Sequence, residues 1–257
     1  METVLTDEYK LGGIGASQIG KLFTRDGIKA KTAQTLAYEK AEELLTGYKK
    51  NFTSIAMQHG IFNEEEAYNT VIKPTFPNSY YRSDESILIK EGVWATPDVT
   101  DEYEGVTMDI KCPYTIFTYY KNINKLPDTY IAQNQMQMMA TGHENGFVVV
   151  YLTSNAIDEY GNKIEYKIPI NDRHMFLPLE SDKDFQEEIL RRVDEFFPLR
   201  DSILKDLKDS IEISDMEYFH MASTAKRVTR FKDKSNLTTW AGKIYHNQRE
   251  GFLVIEN

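Results

Sequence analysis

The chain has 257 residues, 41% of them hydrophobic, and carries a formal net charge of −10 at neutral pH. This length and composition exclude a disordered tail and allow a substantial core, in one large domain or in a domain with an appendage. The acidic balance argues against a protein that coats nucleic acid non-specifically, because neutralising phosphates needs clustered Lys and Arg. It still allows an acidic site that binds divalent cations beside a locally basic groove.

The sequence predicts neither a membrane segment nor a secretory signal. No apolar run reaches the roughly 18 residues that a membrane span needs, and METVLTDEYK at residues 1–10 lacks a basic start and an apolar segment. We therefore expect a cytoplasmic protein. The single cysteine, Cys112, excludes an internal disulfide, a four-cysteine zinc site and a cysteine-ligated iron–sulfur cluster. The five histidines show no metal-ligand spacing, so any metal is expected to be bound by oxygen atoms.

The first part of the chain alternates between helical and strand patterns. The predicted elements are, in chain order, a helix at 33–45 ended by Gly47, a helix at 60–72, strands at 80–89, 92–99 and 105–111, a helix between Pro127 and Gly142, and an apolar strand at 146–152. A strand meander between helices, followed by a helix and a strand, is typical of a mixed sheet with helices on its faces. The predicted fold class is therefore α/β (α+β).

The last part of the chain has a different composition. Residues 182–211 predict a charged amphipathic helix, and we expect Pro198 to interrupt it because proline lacks the N–H that a helix interior needs. Residues 225–257 contain more Lys and Arg than acids. We expect a core at residues 1–180 and a helical and basic accessory region at 181–257, either part of the same domain or a tail.

Residues 96–113, TPDVTDEYEGVTMDIKCP, carry the chemistry that the sequence predicts best. Successive side chains of a strand point to opposite faces, so Asp109 and Lys111 share one face, roughly 7 Å apart. If this strand pairs antiparallel with the one before it, Asp98 approaches Asp109. Two adjacent carboxylates repel each other unless a cation lies between them, and oxygen ligands favour Mg²⁺ or Mn²⁺. A metal that activates water, with a lysine that orients or deprotonates that water and stabilises charge on a phosphate, suits phosphodiester hydrolysis.

The acid-x-Lys pattern alone is weak evidence, because it also occurs at 8–10, 165–167 and 206–208. The simpler alternative is a solvated hairpin face. The Pro-Asp eleven residues before Asp109 and the flanking strands distinguish this copy from the others.

Glu64 provides a third acid. At 100° per residue it lies near the centre of an apolar arc formed by Ile61, Ala67, Tyr68, Val71 and Ile72. An inward carboxylate needs a partner such as a metal or its water. The alternative is that the three consecutive glutamates only favour the positive end of a helix dipole, which suits Glu65 and Glu66 better than Glu64.

Two further segments have polar side chains that could serve the same site. Gln133 and Gln137 lie one helical turn apart, and a buried glutamine could hold a water or a phosphate oxygen, although spacing alone favours surface glutamines. At GGIGASQIGKLF, residues 12–23, Ser17 is either a helix N-cap or, with Lys10 nearby, part of a phosphate-binding turn.

Six ordered blocks resemble the phage lambda exonuclease and YqaJ-like viral recombinase family of the PD-(D/E)xK nuclease superfamily. They are LGGIGASQIGKL, QHGIFNEEEAY, YRSDESI, TPDV, MDIKCPY and YIAQNQMQMMATG, and the resemblance covers about residues 10–152. The resemblance implies a PD-(D/E)xK core and a 5′-to-3′ exonuclease on linear double-stranded DNA that leaves 3′ single strands for recombination. It also implies a phage single-strand annealing protein as partner, a ring-shaped homotrimer around the DNA, and two Mg²⁺ ions per site, for which Mn²⁺ can substitute.

The resemblance also assigns roles to individual residues. The metal ligands of the family are matched by Asp98, Asp109 and the backbone carbonyl of Ile110, and its catalytic lysine is matched by Lys111. Glu64 matches the helix glutamate near the metal water, and Gln133 matches the first glutamine of the active-site helix. The pocket for the DNA 5′ phosphate is matched by Ser17 and Lys10.

Two positions depart from the pattern. Asp109 stands where the family usually has Glu, a shorter arm that still binds metal elsewhere in the superfamily. Lys10 stands where an arginine grips the phosphate, and lysine lacks the bidentate fork on which a strict 5′-phosphate preference depends.

Two alternatives remain open. One is an endonuclease or structure-specific nuclease of the same superfamily, which would cut a covalently closed plasmid. The other is a catalytically silent DNA-binding or inhibitory protein on this fold, which would have no need for all of Glu64, Asp98, Asp109 and Lys111.

Overall fold

The computed structural model describes residues 10–23, 26–49, 54–82, 85–154 and 164–209, together with the backbone of two strands near the C-terminus. Those strands, β9 (Arg227–Phe231) and β10 (Leu253–Glu256), pair antiparallel with each other. The other predictions for residues 225–257, including the role of their basic side chains, lie outside the described residues.

A five-stranded mixed sheet forms the centre of the fold and confirms the predicted class. Its strands are β2 (Tyr80–Tyr81), β5 (Val99–Asp101), β6 (Val106–Lys111), β7 (Asn145–Tyr151) and β8 (His174–Glu180), in that spatial order. Only β6 and β7 run parallel, and the other neighbouring pairs are antiparallel. The parallel pair requires a crossover, which the two helices between β6 and β7 provide.

A second, three-stranded sheet lies beside the first. It consists of β1 (Ile14–Gly15), β4 (Val93–Ala95) and β3 (Ile87–Lys90), in that order. The prediction of one strand over residues 92–99 was therefore wrong, because β4 and β5 belong to different sheets. Pro97 lies between them and has no N–H for a ladder, so the chain leaves one sheet there and enters the other. This break places Asp98 at the start of β5, outside regular pairing.

Within the described residues, six α-helical segments surround the two sheets. They are α1 (Lys31–Thr46), α2 (Ile55–Ala67), α3 (Lys73–Thr75), α4 (Ile116–Asn124), α5 (Asp128–Thr141) and α6 (Lys183–Asp209). The predicted stops of α1 and α5 are confirmed, because Gly47 and Gly142 both adopt the left-handed conformation that ends a helix. No helix in the described parts of the chain combines the length and apolarity that crossing a membrane demands.

The second predicted helix begins five residues earlier than expected and is not uniform. Ser54 caps it by accepting a hydrogen bond from the N–H of Met57. A π-helical turn at Tyr68–Ile72 then links α2 to α3 and rotates the following residues relative to a regular wheel. Ala67, Val71 and Ile72 pack on the sheet as predicted, but Ile61 is 62% exposed, because the first turns of α2 project beyond the sheet.

Helix α6 runs unbroken through Pro198, so the predicted interruption was wrong. A proline inside a helix costs about 3 kcal/mol. Each fully buried apolar side chain contributes about 1.5–3 kcal/mol, and Ile189, Val193 and Phe196 are fully buried against α1 and the small sheet. Packing therefore outweighs the proline, and the helix forms part of the core.

No strand was predicted at β8, which the structure adds at the edge of the central sheet. Its residues are half-buried or exposed, and Pro178 interrupts an otherwise apolar stretch. Proline is tolerated in such a position because an edge strand leaves some N–H groups unpaired. The strand covers the outer side of β7, which carries the buried residues Val148, Val149 and Val150.

Candidate active site

The alternating faces of β6 create a site with one charged and one apolar side. Met108 and Ile110 are buried in the cluster beneath α2, whereas Asp109 and Lys111 point toward α5. The Asp109 carboxylate and the Lys111 ammonium form an ion pair at 2.7 Å. Asp109 is fully buried. The alternative of a solvated hairpin face is therefore wrong.

The break between β4 and β5 brings Asp98 to the same point. Because Val99 pairs with Met108, Asp98 lies beside the end of β6, and its Oδ2 accepts the Ile110 N–H at 2.6 Å. Burial raises the pKa of Asp98 well above its usual value, and the negative charges of Asp109 and Glu64 raise it further. The charge of Lys111 and the Ile110 N–H act in the opposite direction. The carboxylates of Asp98 and Asp109 thus lie in a buried place beside the Lys111 ammonium, and Glu64 adds negative charge nearby.

Two glutamines of α5 bind Asp109 from the helix side. The Nε2 atoms of Gln133 and Gln137 donate to Asp109 Oδ1 at 2.8 and 2.9 Å. Gln137 is completely buried and Gln133 half-buried, so surface positions for this pair are excluded. Spacing could not show this, because it depends on which face of α5 packs on the sheet.

The Lys111 ammonium is held in place by three groups. Besides Asp109, it lies 3.4 Å from Gln133 Oε1 and 5.1 Å from the centre of the Tyr130 ring. Burial lowers the pKa of Lys111, but the charges of Asp109 and Asp98 outweigh burial, and the net shift is upward. Lys111 therefore carries a positive charge that partly neutralises the carboxylates.

Glu64 lies on α2, half-buried and close enough to Asp98 to raise its pKa. The helix-dipole alternative fails, because α2 starts at Ile55 and the three glutamates lie far from its first turn. Glu66 accepts hydrogen bonds from Tyr151 Oη at 2.7 Å and Thr153 Oγ1 at 3.0 Å, and so fastens α2 to the end of β7.

Ser17 and Lys10 lie on the segment that precedes α1. Ser17 is exposed and is the second residue of a 3-10 helix at Ala16–Leu22 whose N-cap is Gly15, so it is not an N-cap. This helix packs against the first turn of α5, where a side chain on Gly20 would meet Thr129 at 2.5 Å. The segment is therefore held beside the helix that carries Gln133. A phosphate-binding role for Ser17 and Lys10 stays a prediction.

The donor chemistry of the site suits a hard divalent cation. Within the described ranges, no three His, Cys, Asp or Glu side chains are arranged to hold a metal ion by themselves. The carboxylates of Asp98 and Asp109 would be the side-chain donors to a cation there, and the Ile110 carbonyl and a water beside Glu64 would have to complete the set. This metal site stays a prediction. A cation would relieve the repulsion that raises the Asp98 pKa.

Comparison with known proteins identifies the family to which this arrangement is similar. The model of the YqaJ-like viral recombinase domain matches residues 7–144, just over half of the chain. The matched segment contains Glu64, Asp98, Asp109, Lys111 and Gln133. Curated protein sequences give no match.

Solved structures show the same relationship. The chain is similar to an alkaline exonuclease, LHK-Exo, from Laribacter hongkongensis, with 25% identity and a TM-score of 0.63 over 79% of this chain and 97% of that one. LHK-Exo has also been solved in complex with dAMP. A phage-related exonuclease from Haemophilus somnus 129PT shares the fold, with a TM-score of 0.65 and 18% identity over 76% of this chain and 96% of that one.

Proposed function

The chain belongs to the YqaJ-like viral recombinase domain family, and from this premise we propose that it is a Mg²⁺-dependent exonuclease that degrades one strand of linear double-stranded DNA from its 5′ end. A nuclease role follows from the family and from the likeness to an alkaline exonuclease. The direction of digestion, the metal and the biological process are the parts that we propose.

The observation that carries the proposal is the convergence of Asp98, Asp109 and Lys111. Their functional groups meet where two sheets separate, with the Asp109–Lys111 pair at 2.7 Å and Asp98 anchored on Ile110 at 2.6 Å. A buried group of charges that serves only the structure seldom contains more carboxylates than cations, because the excess negative charge destabilises the fold. A site that binds a cation for catalysis explains the excess.

Each residue then has a defined role. Asp98, Asp109 and the Ile110 carbonyl would hold Mg²⁺, which when bound would supply a Lewis acid and lower the pKa of water. Glu64 accepts a hydrogen bond from the attacking water and orients it. The Lys111 ammonium stabilises negative charge that develops on the phosphate. Gln133 holds both Asp109 and Lys111 in place, through hydrogen bonds at 2.8 and 3.4 Å.

The family supports a DNA substrate, and the partners and the assembly are part of our proposal. That LHK-Exo binds dAMP is consistent with release of deoxynucleoside monophosphates, and we extend this product class to the present chain. Ser17 and Lys10 would bind the 5′ phosphate of a DNA end. The remaining 3′ strand would pass to a phage single-strand annealing protein in the cytoplasm of a bacterial or phage-infected cell. A ring-shaped homotrimer with two metal ions per site completes the proposal.

The test is a time course on linear duplexes labelled at either end, with and without a 5′ phosphate, in Mg²⁺ or in a chelator. We expect label at the 5′ end to be released first as mononucleotide, only with metal, and the 3′ strand to persist. An intact duplex in both Mg²⁺ and Mn²⁺ would refute the proposal. Cutting of a covalently closed plasmid would indicate an endonuclease instead, and DNA binding without cleavage would indicate a silent binding protein.

A further inference from the structure

The short side chain of Asp109 is contacted from two sides. Oδ1 accepts hydrogen bonds from the amides of Gln133 at 2.8 Å and Gln137 at 2.9 Å, while Oδ2 lies 2.7 Å from the Lys111 ammonium. These contacts restrict the rotation of the carboxylate, with one oxygen bound by α5 and the other paired with Lys111.

Gln137 has a second connection that Gln133 lacks. Its Nε2 donates to the Thr96 carbonyl at 3.1 Å as well as to Asp109, and its Oε1 accepts from Asn134 Nδ2 at 3.4 Å. Thr96 lies two residues before Asp98 in the segment that joins the two sheets. One amide group therefore ties the strand that carries Asp109 to the segment that carries Asp98.

The burial of Gln137 restricts what it can do. Its side chain is fully enclosed, so it touches neither solvent nor a DNA phosphate and can act only through the groups that it binds. The side chain of Asp109 has a single methylene, so its carboxylate stays close to β6. The longer side chains of Gln133 and Gln137 reach it from α5 and hold it in a defined position.

We propose that Gln137 is a positioning residue that fixes the distance and orientation between Asp98 and Asp109 and so compensates for the short arm of Asp109. The inference rests on the proposed function, because it assumes that these two carboxylates bind the metal. Partners that orient metal ligands typically contribute about 10- to 100-fold to metal affinity. A glutamine that only fills the core would contribute to stability and not to metal affinity.

The matched control is Gln135, a second buried glutamine on the same helix. Gln135 donates to the Glu180 carbonyl at 2.7 Å and accepts from the Asp182 N–H at 3.0 Å, away from the carboxylates. Gln137→Met and Gln135→Met both remove a buried amide and preserve side-chain length. Both variants should therefore unfold at a lower temperature than the wild type, and only one should lose metal affinity.

The measurement is Mn²⁺ binding to the full chain, followed by electron paramagnetic resonance of the unbound ion. We expect Gln137→Met to weaken Mn²⁺ binding about 10- to 100-fold and Gln135→Met to leave it within about twofold. Unchanged affinity in Gln137→Met overturns the inference. Equal losses in both variants overturn it as well, because they would show a general effect of core damage.

A compensating exchange provides a second test. Asp109→Glu adds one methylene to a fully buried place, and Gln137→Asn removes one opposite it. Each single variant should bind Mn²⁺ more weakly than the wild type, and the double variant should bind it more tightly than either. Additive losses would contradict a length match between the two side chains.

If the wild type itself binds no Mn²⁺ and cleaves no DNA, the proposed function fails and this inference fails with it. If the wild type binds Mn²⁺ and cleaves DNA but Gln137→Met binds Mn²⁺ equally tightly, only this inference fails.

Discussion

The carboxylate of Asp98 accepts a hydrogen bond from the backbone N–H of Ile110 at 2.6 Å, across a separation of 12 positions in the chain. This bond fixes Asp98 against β6, where burial and the charges of Asp109 and Glu64 disfavour its ionised form. If Asp98 binds a metal as proposed, its position lowers the stability of the metal-free protein, as is common in active sites.

Asp98→Asn should abolish hydrolysis and stabilise the metal-free protein. Asparagine keeps an oxygen for the Ile110 N–H and cannot ionise. The pKa of Asp98 in the folded protein lies above its value near 3.8 in the unfolded chain, so the folded state holds this proton more tightly. The free energy of unfolding of the wild type therefore falls as the pH rises from the unfolded pKa to the folded pKa. We expect Asp98→Asn to be more stable by about 1–2 kcal/mol at pH 8, with the difference vanishing toward pH 4. Urea unfolding in a chelator at several pH values measures this.

Asp101→Asn is the control for that experiment. Asp101 is also buried, but its Oδ1 accepts from the N–H groups of Tyr103 and Glu104 in a turn away from the site. Asparagine preserves this acceptor, so hydrolysis should continue and no stabilisation at high pH should occur. An Asp98→Asn protein that is less stable than the wild type at every pH would contradict the charge argument.

Lys111→Met should make the protein depend on a divalent cation for its stability. The ammonium pairs with Asp109 at 2.7 Å, and its side chain is only 19% exposed. Removing one partner of a buried pair costs about 3–5 kcal/mol, and a bound cation replaces part of the lost charge. The rise in melting temperature on adding Mg²⁺ should therefore be larger for Lys111→Met than for the wild type, although hydrolysis is lost.

Lys90→Met controls for the removal of any lysine. Lys90 pairs with Asp194 at the surface, where the two side chains are 32% and 65% exposed. Exposed pairs contribute about 0–1 kcal/mol, so both stability and the Mg²⁺ response should resemble those of the wild type. A Lys111→Met protein with the wild-type Mg²⁺ response would argue against a cation site beside Asp109.

The parts of the site that the sequence predicted correctly depend on local chain geometry. Alternation along β6 was enough to place Asp109 and Lys111 on one face, and a glycine signal was enough to end α5 at Gly142. The approach of Asp98 to Asp109 also followed from pairing across a short turn. These relationships join residues that are close in the sequence or lie in one hairpin, so the pattern of residues along the chain is enough to predict them.

The parts that escaped prediction depend on how distant elements pack. The burial of Gln137 is decided by the sheet under α5, and the inward direction of Glu66 by the end of β7, more than 80 residues away. The break at Pro97 produces two sheets only because β1 and β2 provide different partners for the two halves. Periodicity along one segment contains no information about such partners.

Glu66→Ala should loosen the helix that carries Glu64. Glu66 receives hydrogen bonds from Tyr151, Thr153 and the Ser154 N–H. Leaving such donors without an acceptor costs about 1–3 kcal/mol, and the position of Glu64 becomes less defined. We expect lower stability in urea and a reduced kcat. Glu65→Ala, at the exposed position between them, should change stability by less than about 0.5 kcal/mol. Equal effects of the two changes would contradict a fastening role for Glu66.

Two adjacent arginines of α6 should differ sharply in importance. Arg192 donates to the Leu22 carbonyl at 2.6 Å and lies 4.4 Å from the Phe23 ring, so it connects α6 to the segment that carries Ser17. Among the residues that the structure describes, Arg191 pairs with two acids of its own helix, Glu188 and Glu195. Arg192→Met should lower the free energy of unfolding by about 1–3 kcal/mol, because it leaves a partly buried carbonyl without its donor. It should also slow digestion of 5′-phosphorylated duplexes more than of unphosphorylated ones if Ser17 binds the terminal phosphate.

Arg191→Met should leave both the unfolding midpoint and the digestion rates unchanged. Equal responses of the two variants would show that α6 does not support this segment.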